Sequence, residues 1–171
     1  HLDRCWVEVK TGGELERRRA EIDAFNAANP VLKRGLGLFP LKFGISFNLP
    51  HMNQAGALVH VYTDGSIRLN HGGTEMGQGL FIKVAQVVAE TFQIDIDNIK
   101  ITATTTGKVP NTSPTAASSG SDLNGMAAQH AAEQIKDRMA DVAAEQFNVP
   151  KGEIVFSSNR IYAGNRSISF A

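Results

Sequence analysis

The sequence predicts an α+β fold in which mixed sheets are covered by helices, and three observations carry that reading. Apolar residues recur at helical spacing from Leu80 to Phe92, and again through the alanine-rich run from Met126 to Phe147. "AGALVHVYTDGSIRLNHG" reads as an antiparallel hairpin, and the strand-like "DNIKITATTT" follows only after a helix, which permits one parallel pairing. The last stretch, "EIVFSSNRIYAGNRSISF", divides into two or three short strands joined by Asn and Gly turns.

At 171 residues and 18.4 kDa the chain can bury one core of ordinary domain size. Lys and Arg number 17, as do Asp and Glu, with no basic stripe for nucleic acid. Cys5 is the only cysteine, which excludes internal disulfides and thiolate clusters and suits a reducing, cytoplasmic setting. No apolar run approaches the roughly 20 residues of a membrane span, and "HLDRCWVEVK" lacks a signal core. The chain starts at His1 and stops within the strand-like "SISFA", so it reads as an internal piece of a longer polypeptide; the alternative is a complete protein with processed ends.

The elements follow in order. Thr11 stands three residues before Glu14, the capping-box spacing, and predicts a helix from about 13 to 28 closed by Pro30. Residues 1–35 form an N-terminal helix and connection, and 36–171 an α+β core. "KFGISFNLP", residues 42–50, is strand-like. In the hairpin, Asp64 and Gly65 supply positive φ angles, while Val59, Val61, Ile67 and Leu69 share a buried face. A helix from Gly79 buries Leu80, Val84, Val87, Val88 and Phe92, and the next strand buries Ile99 and Ile101. Residues 107–125 read as a loop, and the longest helix spans 126–147, ended by Pro150 and Gly152.

Two loops suggest a site. "HGGTEMGQGL" carries glycines at 72, 73, 77 and 79, and "SPTAASSGSD" is rich in small residues. Both open onto helix starts, where free amides and the helix dipole favour an anion or a ligand oxygen by about 0.3 to 1 kcal/mol each. Bare glycines let a ligand lie against the backbone, and Gln78 offers a donor and an acceptor. Ala116 and Ala117 leave space, and Ser118, Ser119 and Ser121 bring hydroxyls to the second helix start. The alternative is that both loops only turn sharply and cap helices.

Familiar motifs fail. Gln78 and Gly79 stand where a P-loop needs Lys and Ser or Thr, and Ile82 stands where the dinucleotide fingerprint needs its third glycine. "DIDNIK" has Lys100 at the calcium-loop glycine position. The five histidines show no metal-binding spacing and read as structural. Glu75 reads as a group bracing the loop or the helix start rather than a general base.

"GGTEMGQGL", "KFGISFNLPHMNQAGALVHVYTDG" and "VPNTSPTAASSGSDLNG", in this register, resemble the molybdopterin-binding subunit of the xanthine dehydrogenase and aldehyde oxidase family from about Cys5 to Gln146. The resemblance implies one half-type subdomain of a molybdopterin-binding domain. Members hydroxylate purines such as hypoxanthine and xanthine at a carbon. The pterin dithiolene holds their molybdenum, and electrons leave through 2Fe-2S clusters to FAD on other domains or subunits, within a homodimer or heterotetramer. Carried over residue by residue, the resemblance places Met76, Gly77, Gln78, Ala117, Ser118 and Gly120 at the cofactor. It places Phe47, Asn48, Ala116 and Ala117 at the purine. Asn48 stands where several relatives have threonine, and Gly120 where some have serine. The family's catalytic glutamate lies downstream of these motifs and its purine-holding glutamate and arginine upstream, so no catalytic residue is assigned here. The chain alone is then expected to be inactive and to hold no cofactor until other segments complete the site. Other readings are an aldehyde oxidase or another molybdenum hydroxylase and, in a different class, a self-standing binding or assembly domain without redox chemistry.

Overall fold

The computed structural model of the chain describes residues 1–41, 43–45, 47–108 and 111–171, which divide into two units, His1–Phe43 and Gly44–Ala171. The first unit holds α1 (Leu2–Gly12) and α2 (Leu15–Ala28). The helix expected from about 13 to 28 is α2, and α1 is an additional helix ahead of it, where Leu2, Cys5, Trp6 and Val9 recur at helical spacing before Gly12. Thr11 lies inside α1, and α2 is entered through left-handed Glu14 (φ 49°) without a side-chain cap, so the capping box is not formed. Leu15 is the only buried residue of α2, and α1 buries none. Downstream, the Arg34 guanidinium lies 3.8 Å from the Phe25 ring centroid, and the Asn26 side chain bonds both the amide and the carbonyl of Arg34.

The second unit contains β1 (Ala57–Val61), β2 (Ile67–His71), α3 (Leu80–Phe92), β3 (Ile99–Ile101), α4 (Gly120–Phe147), β4 (Ile154–Ser157), β5 (Arg160–Ala163) and β6 (Arg166–Ser169). Among the described residues, four α-helices and two three-stranded sheets confirm the α+β class. In the first sheet β2 lies centrally, antiparallel to β1 with Val59 opposite Leu69, and parallel to β3 with Leu69 opposite Ile101. The crossover from β2 to β3 is α3, as a parallel pairing requires. The second sheet is the antiparallel meander β4, β5, β6.

Several boundaries differ from the sequence expectation for physical reasons. No described residue from 43 to 49 forms a strand; Lys42 and Ser46 of that expected element lie outside the described residues. A strand needs a pairing edge, and here the Phe47 carbonyl is taken by the Asn53 side-chain amide at 2.7 Å. In the hairpin only Gly65 has positive φ (79°); Asp64 contributes its carboxylate, which accepts from the Ser66 amide at 2.9 Å and the Ser66 hydroxyl at 2.6 Å. Helix α4 starts at Gly120 rather than Met126. Gly125 there lies against Val87 of α3, and this packing outweighs the low helix propensity of two glycines. The same helix ends at left-handed Asn148 (φ 53°), before Pro150 and Gly152 are reached.

Two apolar clusters meet along α4. Leu69, Val84, Val88, Phe92, Ile99, Ala128 and Ala132 fill the first, between sheet and helices, and Ala143, Phe147, Phe156 and Ile161 fill the second. Met139 and Phe170 touch both. Polar pins add register: Asn159 donates its amide to the Gln93 carbonyl at 2.9 Å and accepts the Asp95 amide at 2.6 Å. Arg166 donates to the Phe147 carbonyl at 2.7 Å, placing a cation at the negative end of α4. Among the described residues no helix is long and apolar enough to cross a membrane.

Candidate functional site

The loop from β2 to α3 is braced from within. Glu75 Oε2 accepts the Phe81 amide at 3.0 Å, and Oε1 accepts the amides of Gly77 at 2.9 Å and Gly79 at 3.0 Å. These amides, that of Phe81 first, hold the Glu75 carboxyl below the usual carboxylate range. The anion at the start of α3 is therefore the protein's own, which corrects the expectation of an open helix start there. The Gln78 side chain closes the loop's other side, accepting the Met76 amide at 2.6 Å and donating to the Thr74 carbonyl at 2.9 Å. Its amide keeps one hydrogen and one lone pair for a further partner.

The four glycines do two different jobs. A Cβ on Gly73 would stand 2.5 Å from Leu80 Cδ2 and 2.9 Å from Asn124 Nδ2, and one on Gly72 would collide with Thr112. These two admit the protein's own side chains, not a ligand, contrary to expectation. Gly77 (φ 92°) and Gly79 (φ 75°) are left-handed, and nothing lies within 4 Å of a Cβ on Gly77. Behind the loop, buried His71 accepts the Gly73 amide on Nδ1 at 3.1 Å and meets the Phe81 ring edge-on at 5.3 Å. Burial pushes its pKa down, so the ring is neutral, and its Nε2 has no partner among the described residues.

The second loop, of which Val109 and Pro110 lie outside the described residues, is sewn to its neighbours. Thr115 Oγ1 accepts the Thr74 amide at 2.8 Å, while Ser113 donates its amide to the Gln54 carbonyl at 2.9 Å and accepts the Gln54 amide on Oγ at 3.0 Å. Ala117 (φ 53°) and Ser118 (φ 54°) are consecutive left-handed residues immediately before α4. Such conformations cost roughly 1–2 kcal/mol each outside glycine and cluster at functional sites. Ser119 is buried with its hydroxyl donated to the Ala116 carbonyl, so it braces the turn and caps no amide of the following helix, contrary to expectation.

Two cavities flank this turn. One, of about 450 Å³, is lined by Met76, Gln78, Ser118, Gly120, Lys83 and Thr115, with Leu80, Ser121 and both alanines completing it. The other, of about 170 Å³, is lined by Phe47, Met52, Asn53, Pro114, Ser113 and Ser119, and again by Ala116 and Ala117. The two alanines are thus a thin wall shared by both. Of the residues expected at a cofactor, Met76, Gln78, Ala117, Ser118 and Gly120 converge on the larger cavity, and Gly77 is not among its lining residues. Of those expected at a substrate, Phe47, Ala116 and Ala117 converge on the smaller one, and Asn48 does not line it. Lys83 and Thr115 are additions: Lys83 falls one helical turn after Gly79, a spacing that points it back toward the loop.

Residues 8–171 match the family described as "Molybdopterin cofactor-binding domain". The chain belongs to that family. Within it, the chain is 53% identical over 81% of its length to a xanthine dehydrogenase/oxidase of Felis catus, and 48% identical over 87% to a xanthine dehydrogenase of Dictyostelium discoideum. It covers 10% and 11% of those two proteins, about a tenth of their length. Among solved structures, the reconstituted CO dehydrogenase of Oligotropha carboxidovorans superposes with a TM-score of 0.64 at 24% identity, covering 69% of this chain and 15% of that one. Quinoline 2-oxidoreductase of Pseudomonas putida 86 gives 0.63 at 18% identity, covering 68% and 15%. These likenesses show that the molybdopterin cofactor-binding family member shares their fold.

Proposed function

We propose that the chain supplies half of a molybdenum-cofactor and purine site of a xanthine dehydrogenase, with the larger cavity taking the pterin and the Phe47 cavity the purine. The observation that carries this is the wall of Ala116 and Ala117 common to both cavities, across which a pterin and a purine would face each other with only methyl groups between.

The residues fit a pterin. Thr115, Ser118 and Ser121 line the cavity with hydroxyls, and the Gln78 amide, held by the Met76 amide and the Thr74 carbonyl, keeps one donor and one acceptor for a heterocyclic edge. Among the described residues no three His, Cys, Asp or Glu side chains gather as a metal site, so a metal here must bring its own ligands. A pterin dithiolene does so, and when bound the cofactor supplies the two-electron redox chemistry of hydroxylation. The chain's part is to orient: Met76 and Gln78 hold the pterin, Ala116 and Ala117 keep the gap to the substrate dry, and Phe47 stacks on the purine ring. Proton transfer is left to carboxylates outside this chain, because Glu75 is committed to three backbone amides.

The test combines two measurements. The parent enzyme from a molybdenum-replete host should contain pterin and molybdenum in equal amounts, and Ala117→Phe should abolish both. The 171-residue chain by itself should oxidise no hypoxanthine. Turnover by the chain alone, or full cofactor content in Ala117→Phe, would overturn the reading.

A further inference from the structure

Molybdopterin carries a phosphate on the arm remote from its heterocycle, and nothing in the site as described so far meets that charge. Among the described residues, Lys83 is the only charged one lining the larger cavity. It sits in the first turn of α3 and also borders a groove of about 620 Å³ between α3 and α4, where Glu90, Glu133 and Lys136 lie. Each of these three already has a partner: Glu90 accepts from Gln93, Glu133 accepts from Gln129, and Lys136 donates to the Thr91 carbonyl. The Lys83 side chain is exposed and has no ion pair or side-chain hydrogen bond among the described residues. Glu75, the nearest acid on the loop, is held by backbone amides. Lys83 therefore brings one uncompensated positive charge to a cavity whose other polar side chains are the neutral amide of Gln78 and the hydroxyls of Thr115, Ser118 and Ser121.

We infer that Lys83 is a binding residue for the cofactor's phosphate, fixing that end of the ligand while Gln78 meets the heterocycle at the other. A phosphate oxygen accepting from an ammonium is a charge-assisted hydrogen bond, and Lys serves as its point-charge partner. The inference rests on the reading of this cavity as the pterin site.

The parent enzyme, prepared free of cofactor, is titrated anaerobically with molybdopterin and with the same pterin after phosphatase treatment, and bound pterin is read by fluorescence. Lys83→Ala should weaken the phosphorylated ligand by about five- to tenfold and leave the dephosphorylated one unchanged. Lys83→Arg should restore most of the difference, and the circular dichroism and melting temperature of both variants should match wild type. If wild type binds pterin and Lys83→Ala binds both forms equally well, the Lys83 assignment is wrong while the cavity reading stands. If wild type binds neither form, the cavity reading fails and takes the assignment with it.

Discussion

Glu75 Oε2 and the Phe81 amide, 3.0 Å apart, tie the glycine loop to the first turn of the helix that it introduces. The same carboxylate also holds Gly77 and Gly79, so one side chain fixes the backbone on which Met76 and Gln78 are displayed.

That arrangement has a pH consequence. Because the native carboxyl titrates below its ordinary value of 4.5, its contribution to stability is complete above that pH and is lost as pH falls through the lower native value. Glu75→Gln should melt below wild type at neutral pH, and the two melting curves should converge under strongly acid conditions. A constant difference at every pH would show that charge plays no part.

His71 predicts a second, milder window. Its native pKa lies below the ordinary 6.5, so the unfolded chain takes up a proton first, and stability falls as the solution is acidified from 6.5 downward. Urea midpoints at about pH 7.5 and 5.5 should differ in wild type, and the difference should shrink in His71→Gln.

The division of labour among the glycines is open to direct test. Gly73→Ala places a methyl 2.5 Å from Leu80 and should destabilise by about 1–3 kcal/mol. Gly120→Ser meets nothing closer than 3.5 Å and should leave the urea midpoint at or slightly above wild type.

Relief of backbone strain should appear at the wall between the cavities. Ala117→Gly removes the penalty of a left-handed alanine, φ 53°, and should raise stability by about 0.5–1 kcal/mol in chemical denaturation. A loss of stability would mean that the methyl group packs more than it strains.

Phe47 is more than a third exposed and lines the smaller cavity without belonging to a strand. In the parent enzyme Phe47→Ala should raise the KM for a purine by about two- to tenfold, the worth of one aromatic stack, with cofactor content unchanged.

Much of this molecule is written in local pattern. The hairpin around Gly65, the helix carrying Leu80, Val84, Val88 and Phe92, and the strand at Ile99 and Ile101 are legible because burial on one face imposes a period of 2 or 3.6 on neighbouring residues. The sequence by itself also determined the family, through two small-residue loops more than thirty residues apart. Only the tertiary structure decided what each loop residue does. Gly72 and Gly73 could not be told from Gly77 and Gly79 by residue type, because the distinction lies in Thr112, Leu80 and Asn124, which the fold brings against the first pair and not the second. Whether residues 43–49 pair as a strand depended on an available sheet edge, and whether α4 begins at Gly120 or Met126 on its packing against Val87. The shared wall of Ala116 and Ala117 and the lone charge of Lys83 exist only once the chain has folded, because a cavity is a relation between segments that no single segment encodes.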